Sequence, residues 1–180
     1  MESLKDISKR VKPIKKYLRS YLERYEQLFQ PMRGMPLTIL EIGIGGYKDL
    51  NKGGGSLKMW GEYFPNAVII GLDFHSKNLT LPNNVITRCG SQTDTILLNK
   101  IAKQHGGIDI VIDDASHITT NTIISFEALW KHTRLMYIVE DLHMKAAKGT
   151  EDYFRQIKGA NFETPNLCVI NKYKSKTQTK

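Results

Sequence analysis

From residue 37 onward the chain switches repeatedly between short apolar runs and amphipathic stretches, and this alternation limits the fold more than any other feature. LTILEI, NAVIIGLD, NVITRC, IDIVIDD and LMYIVED read as strands, because they are short, rich in β-branched residues and bounded by turn formers. SLKMWGEYF, TDTILLNKIAKQHG and TNTIISFEALWKH carry helical spacing, with Ser56 expected to cap the first and Thr93 or Asp94 to start the second. TEDYFRQIKG reads as a last helix and NLCVINKY as a sixth strand, with no clear pair of closing antiparallel strands after residue 144. Strands this apolar have both faces covered, so the expectation is a doubly wound, mostly parallel α/β sheet with helices on both faces. At 180 residues the chain makes one such domain and not two.

Ahead of this lies a segment with a different signal. Ile7, Val11, Ile14, Leu18, Tyr21, Tyr25 and Leu28 fall alternately four and three apart, which is one face of a helix. Pro13 marks a break or the first turn of a helix running to about residue 29, and QPMRGMP ends it. The division expected is an N-terminal helical extension over 1–34, the main domain over 35–172 and a basic tail over 173–180. The extension either packs on the domain or makes a contact between copies of the chain in a homo-oligomer.

Charge and composition remove several classes. The net charge is +8, but residues 1–34 and 171–180 together carry +9, which leaves the middle at −1. Positive charge at the ends either solubilises or meets an anionic surface or substrate, whereas a nucleic-acid enzyme would more naturally carry a basic stripe around its site. No apolar run approaches 18 residues, so no membrane span is expected. MESLKDISKRVKPIKK lacks the apolar stretch of a signal peptide, and Cys89 and Cys168 have no metal-ligand spacing. Both observations fit the reducing cytoplasm.

In a doubly wound sheet, ligands bind outside the carboxyl ends of the strands, so the residues after each strand deserve inspection. The first strand is expected to end at Glu41, and Gly43, Gly45 and Gly46 follow. Glycines there permit positive φ and close approach of a ligand to bare main chain. A dinucleotide fingerprint would need a third glycine where Lys48 stands, and a carboxylate at Glu41 is a poor neighbour for pyrophosphate. It suits a ligand carrying an ammonium and a sulfonium, which favours S-adenosylmethionine over NAD. Asp73 closes the second strand, placed to accept hydrogen bonds from ribose hydroxyls, and Ser91 and Gln92 follow the third strand where an adenine edge would lie. Each feature alone has a simpler reading as a turn or a helix cap; their order after three successive strands is what is specific.

The next two strands end in Asp113-Asp114-Ala115-Ser116-His117 and Glu140-Asp141-Leu142-His143. Adjacent strand ends lie ~4.8 Å apart, within the span of one ion. Four carboxylates crowded there would resist ionising unless a cation joined them. Oxygen ligands point to Mg²⁺ or another hard divalent cation. A metal lowers the barrier to ionising a sugar-type hydroxyl, and His117, three residues beyond a proposed ligand, is placed to take the proton; His143 is the weaker candidate.

EIGIGGY, GGGSLKMWGEYFP, GLDFHSK, IDIVIDDASH and YIVEDLH also resemble the Mg²⁺-dependent, S-adenosylmethionine-dependent macrolide-sugar O-methyltransferases of the mycinamicin and demethylmacrocin type, a class I methyltransferase group, over residues 37–144. The resemblance implies a Rossmann-like fold. It implies a cofactor site formed by Glu41, Gly43, Gly45, Tyr47, Ser56, Asp73, Ser91, Gln92 and Asp113. It also implies Asp114, Glu140 and Asp141 as metal ligands and His117 as general base. Departures exist: DDASH stands for the family's DDGSH, Arg134-Leu135-Met136 replaces an expected glycine pair before LMYIVED, and some thirty-five residues stand where the family has an auxiliary N-terminal domain. The acceptor expected is a hydroxyl of a sugar or glycoside, in small-molecule or polysaccharide biosynthesis. Two alternatives stay open: an RNA methyltransferase, motivated by the basic ends and by Tyr17, Tyr21 and Tyr25, and a non-catalytic S-adenosylmethionine-binding scaffold.

Overall fold

The computed structural model describes residues 2–11, 18–144, 147, 149–163 and 166–172. Pro13, Ile14, Tyr17 and the tail over 173–180 lie outside these described residues. At the centre of the molecule β1 (Thr38–Ile42) and β4 (Ile108–Asp113) are buried along their whole length. They pair in parallel, Ile39 opposite Ile110 and Ile42 opposite Asp113. β2 (Val68–Asp73) flanks β1, β3 (Val85–Cys89) flanks β2, and β5 (Thr133–Val139) flanks β4, all in parallel. The sheet order is β3-β2-β1-β4-β5-β7-β6. The chain thus moves outward from β1 to β3 and then returns to the other side of β1, which creates a switch in strand order between β1 and β4.

Alternation along the strands sends successive side chains to opposite faces. Ile39, Ile69, Ile110, Ile112 and Ile138 meet one set of helices: α1 (Leu4–Arg10), α2 (Leu18–Phe29) and α3 (Gly55–Tyr63). Leu40, Ile42, Ile70, Leu72, Val111, Tyr137 and Val139 meet α4 (Thr95–Gln104), α5 (Thr119–Trp130) and α6 (Thr150–Arg155). Tyr25, Phe29, Trp60 and Phe64 form an aromatic cluster that ties α2 to α3, with Tyr25 and Phe29 stacked at 5.1 Å between ring centroids. Of the two roles open to the N-terminal segment, the structure shows packing on the domain. None of the described helices is long and apolar enough to cross a membrane.

Two details differ from the sequence reading. A closing antiparallel pair does exist: β7 (Leu167–Asn171) runs against β5, and β6 (Ala160–Glu163) runs against β7 at the sheet edge. β6 is four residues, ANFE, too short and too polar to show alternation. The start of α3 is capped by the left-handed Gly54, φ 68°, and not by Ser56, whose hydroxyl is committed to Glu41. Arg134, which stands in β5 where the resembled family has a glycine pair, places its guanidinium on Asp109, with nitrogens 2.6 and 2.7 Å from the two carboxylate oxygens. Asp109 also accepts the Thr38 N–H at 2.7 Å, so one buried carboxylate ties together the starts of β1, β4 and β5.

Candidate active site

Glycines in the turn after β1 serve backbone packing first. Gly43 has φ 90°, and a Cβ there would lie 2.2 Å from the Asp114 carbonyl oxygen. A side chain would therefore wedge β1 away from the end of β4, whose Asp114 N–H donates to the Ile42 carbonyl at 2.9 Å. Gly46, φ 79°, is closed by the carbonyl of Lys52 at 2.0 Å in the same sense, and Gly45 is also left-handed at φ 73°. Tyr47 follows with its side chain 87% exposed at the rim. The turn is thus drawn tightly over the switch point.

Acids and polar side chains around it are fixed by one another. Glu41, on β1, is buried and accepts hydrogen bonds from the Ser56 hydroxyl and from the Trp60 indole N–H at 2.7 Å. Asp73, at the end of β2, accepts the N–H of Ile44 at 3.1 Å and of His75 at 3.0 Å, which pins the glycine turn to the second strand. Ser91 is half-buried and caps its own turn by accepting the Thr93 N–H. Gln92 reaches from the end of β3 to the β4 loop, where its carbonyl accepts the Ser116 N–H at 3.1 Å. Asp113 is buried beneath the site. Its carboxylate accepts the Ser125 hydroxyl at 2.7 Å and the Tyr137 hydroxyl at 2.8 Å. Burial pushes its pKa up to about 6, against the opposing pull of those two hydroxyls and the Ala115 N–H.

Beyond β4 and β5 three ligand-type residues converge. One ligand atom each from Asp114, His117 and Asp141 lies within 4.8 Å of the others, the group of this kind found among the described residues. His117 Nε2 stands 3.8 Å from Asp114 Oδ1 and 3.8 Å from Asp141 Oδ2, too far for hydrogen bonds. Ligands ~2.1 Å from one octahedral ion stand about 3 Å apart side by side and about 4.2 Å apart across it. One oxygen each of Asp114 and Asp141 lies within 4.8 Å of the other, close to that span, and the His117 imidazole stands beside the pair. Glu140 is buried beside Asp141, and its Oε1 accepts the Tyr25 hydroxyl at 2.5 Å. His117 and Asp141 both have φ 56°, a conformation that non-glycine residues seldom adopt. His143 is exposed.

Tyr21 and Tyr25 belong to this site, although the sequence showed them only as part of one helix face and as a motive for the RNA alternative. Tyr21 donates to Asp141 Oδ1 at 2.7 Å and is 1% exposed. Burial, and then the neighbouring acids, hold both phenols well above their ordinary pKa, so they are hydrogen-bond donors throughout the working pH range. Their burial also removes them as platforms for stacking nucleic-acid bases. The one available signal was their four-residue spacing among apolar positions, which reveals the shared face but not the acids it meets.

A mostly parallel sheet in this order, closed by an antiparallel pair and carrying a glycine turn at the switch, is the Rossmann-like fold of methyltransferases. Similarity in sequence is more particular. The mycinamicin VI 2''-O-methyltransferase of Micromonospora griseorubida is 41% identical over 128 residues, 70% of this chain and 32% of that protein. A tetracenomycin-C rhamnosyl 3'-O-methyltransferase of Streptomyces olivaceus is 42% identical over 120 residues, 66% of this chain and 31% of that protein. The MycE methyltransferase of the mycinamycin biosynthetic pathway, solved with Mg, SAH and mycinamycin VI, superposes with a TM-score of 0.79 at 30% identity, covering 94% of this chain and 54% of that one. The chain thus spans about a third of the length of the curated relatives it matches. No protein-family model matches it.

Proposed function

We propose that the protein is an S-adenosylmethionine-dependent, divalent-metal-assisted O-methyltransferase acting on a hydroxyl of a sugar or glycoside. The observation that carries this reading is the convergence of Asp114, His117 and Asp141 at the carboxyl ends of β4 and β5, beside the glycine turn. Buried carboxylates at this density are costly without a cation. The donor set is rich in carboxylate oxygen, which fits Mg²⁺ better than a softer metal. Asp114 and Asp141 would hold it; Glu140, buried beside Asp141 and outside that convergent group, is the further ligand proposed. When bound, the cation would orient the acceptor hydroxyl and stabilise its developing negative charge.

The remaining work falls to the chain's own residues. Glu41, Gly43, Gly45, Tyr47, Ser56, Asp73, Ser91, Gln92 and Asp113 form or brace the methyl-donor cleft. Glu41 supplies negative charge beside a cationic ligand, and Asp73 keeps the turn in register for ribose. His117 accepts the hydroxyl proton at Nε2 as the oxygen attacks the methyl carbon; the carbon–sulfur bond breaks, and S-adenosylhomocysteine leaves. The relatives are named for O-methyl transfer to a rhamnosyl tetracenomycin-C and to mycinamicin VI. For this chain the broader class, a sugar hydroxyl, is the substrate proposed.

The test is transfer of a labelled methyl group from S-adenosylmethionine to glycosides, with and without a chelator. Label on a sugar oxygen, lost in chelator and restored by Mg²⁺, supports the reading. Transfer to RNA, or transfer that ignores the chelator, rejects it.

A further inference from the structure

We infer that Tyr21 and Tyr25 are positioning residues for the metal-binding carboxylates, so that α2 is a working part of the site as well as a cover for the sheet. The inference rests on the metal-assisted reading above and deepens it. Both residues stand on one face of α2, four apart, and both hydroxyls end on acids that follow β5, 115 and 120 residues away in sequence.

Tyr21 grips Asp141 twice. Its O–H donates to Oδ1 at 2.7 Å, and its oxygen accepts the Asp141 N–H at 3.4 Å. With Oδ1 occupied, Oδ2 is the oxygen that lies toward the convergence point, 3.8 Å from His117 Nε2. The double contact also pins the left-handed backbone of Asp141, φ 56°, on which the direction of the carboxylate depends. Tyr25, 0% exposed, fixes Oε1 of the neighbouring Glu140 at 2.5 Å. A phenylalanine at either position would fill nearly the same volume in the aromatic cluster. Burying a phenol is costly unless its hydroxyl is bonded, and here the bonds go to acids of the site and not to helix or strand backbone nearby. Groups that hydrogen-bond metal ligands set their orientation and basicity, and losing one such partner typically weakens metal binding ~10–100-fold.

Tyr21→Phe, Tyr25→Phe and the double variant separate this role from packing. Mn²⁺ uptake is followed by the electron paramagnetic resonance signal of the free ion, and S-adenosylhomocysteine binding by calorimetry on the same samples. The expected result is an Mn²⁺ affinity lowered about 10–100-fold by Tyr21→Phe, and further in the double variant, while S-adenosylhomocysteine affinity stays unchanged. Wild-type uptake of Mn²⁺ with equal affinity in the double variant overturns the positioning role and leaves the metal reading standing. Parallel loss of Mn²⁺ and S-adenosylhomocysteine binding makes the hydroxyls merely structural and also overturns it. Absence of Mn²⁺ uptake by the wild type overturns both.

Discussion

His117 and Asp141 share an unusual backbone, and each presents its side chain to the same small volume. Such conformations cost of order 1–3 kcal/mol each and persist where the surroundings over-determine them. For His117→Ala the account expects a kcat reduced ~10²–10⁴-fold with little change in KM, as for loss of a general base. Asp114→Asn should abolish metal-dependent turnover and leave S-adenosylhomocysteine binding intact by calorimetry; equal loss of both would assign it to the donor cleft. Asp113 yields a pH prediction. Its pKa is raised to about 6 by burial, so the folded state holds its proton more tightly than the unfolded chain does. The stability it contributes is full below about pH 4 and is lost as pH rises through about 6, by up to about 3 kcal/mol in all. Urea midpoints in chelator should therefore fall across that window in the wild type relative to Asp113→Asn. A constant difference between the two would contradict the shift. Asp114, Glu140 and Asp141 could be singled out as candidates because each follows directly on a strand that the sequence announces. The tyrosine partners were not, because periodicity shows which face a residue occupies and says nothing of what its hydroxyl meets more than a hundred residues away.

Among elements, the turn after β1 and the α2–α3 cluster are the parts most sensitive to small changes. Gly43→Ala introduces a Cβ into the Asp114 carbonyl at φ 90° and should loosen the β1–β4 junction. Reduced thermal stability together with weakened donor binding is the expected result; a wild-type-like variant would show that the turn has room to give. Phe29→Ala removes a fully buried ring packed against Tyr25, Trp60 and Phe64 and should cost about 3–5 kcal/mol in denaturant unfolding. The two cysteines offer a check on β7 and β3. Cys168 is buried, and burial pushes its thiol up to about 12, whereas Cys89 is exposed. One thiol per chain should react in the native protein near pH 8 and two after unfolding; two native thiols would place β7 incorrectly. The first five strands were readable from their β-branched runs. β6 was not, because four edge residues with partial burial carry no alternation, and only their pairing with β7 gives them strand geometry.

For the whole molecule, the placement of the site follows from topology. The switch in strand order between β1 and β4 places the candidate site, and both covered faces brace it: α2 and α3 bring Tyr21, Tyr25, Ser56 and Trp60, while α5 brings Ser125 beneath Asp113. The doubly wound class was legible from alternation alone. The joining of the N-terminal helix and the acids after β5 was not, since it depends on how one helix lies across the sheet. Crystals grown with Mn²⁺ and S-adenosylhomocysteine and measured for anomalous scattering would locate the ion itself. One strong peak is expected ~2.0–2.3 Å from carboxylate oxygens of Asp114 and Asp141, with the adenosyl group along the turn at Gly43 and Gly45. A peak elsewhere, or none while the nucleoside is bound, would contradict the metal-assisted reading.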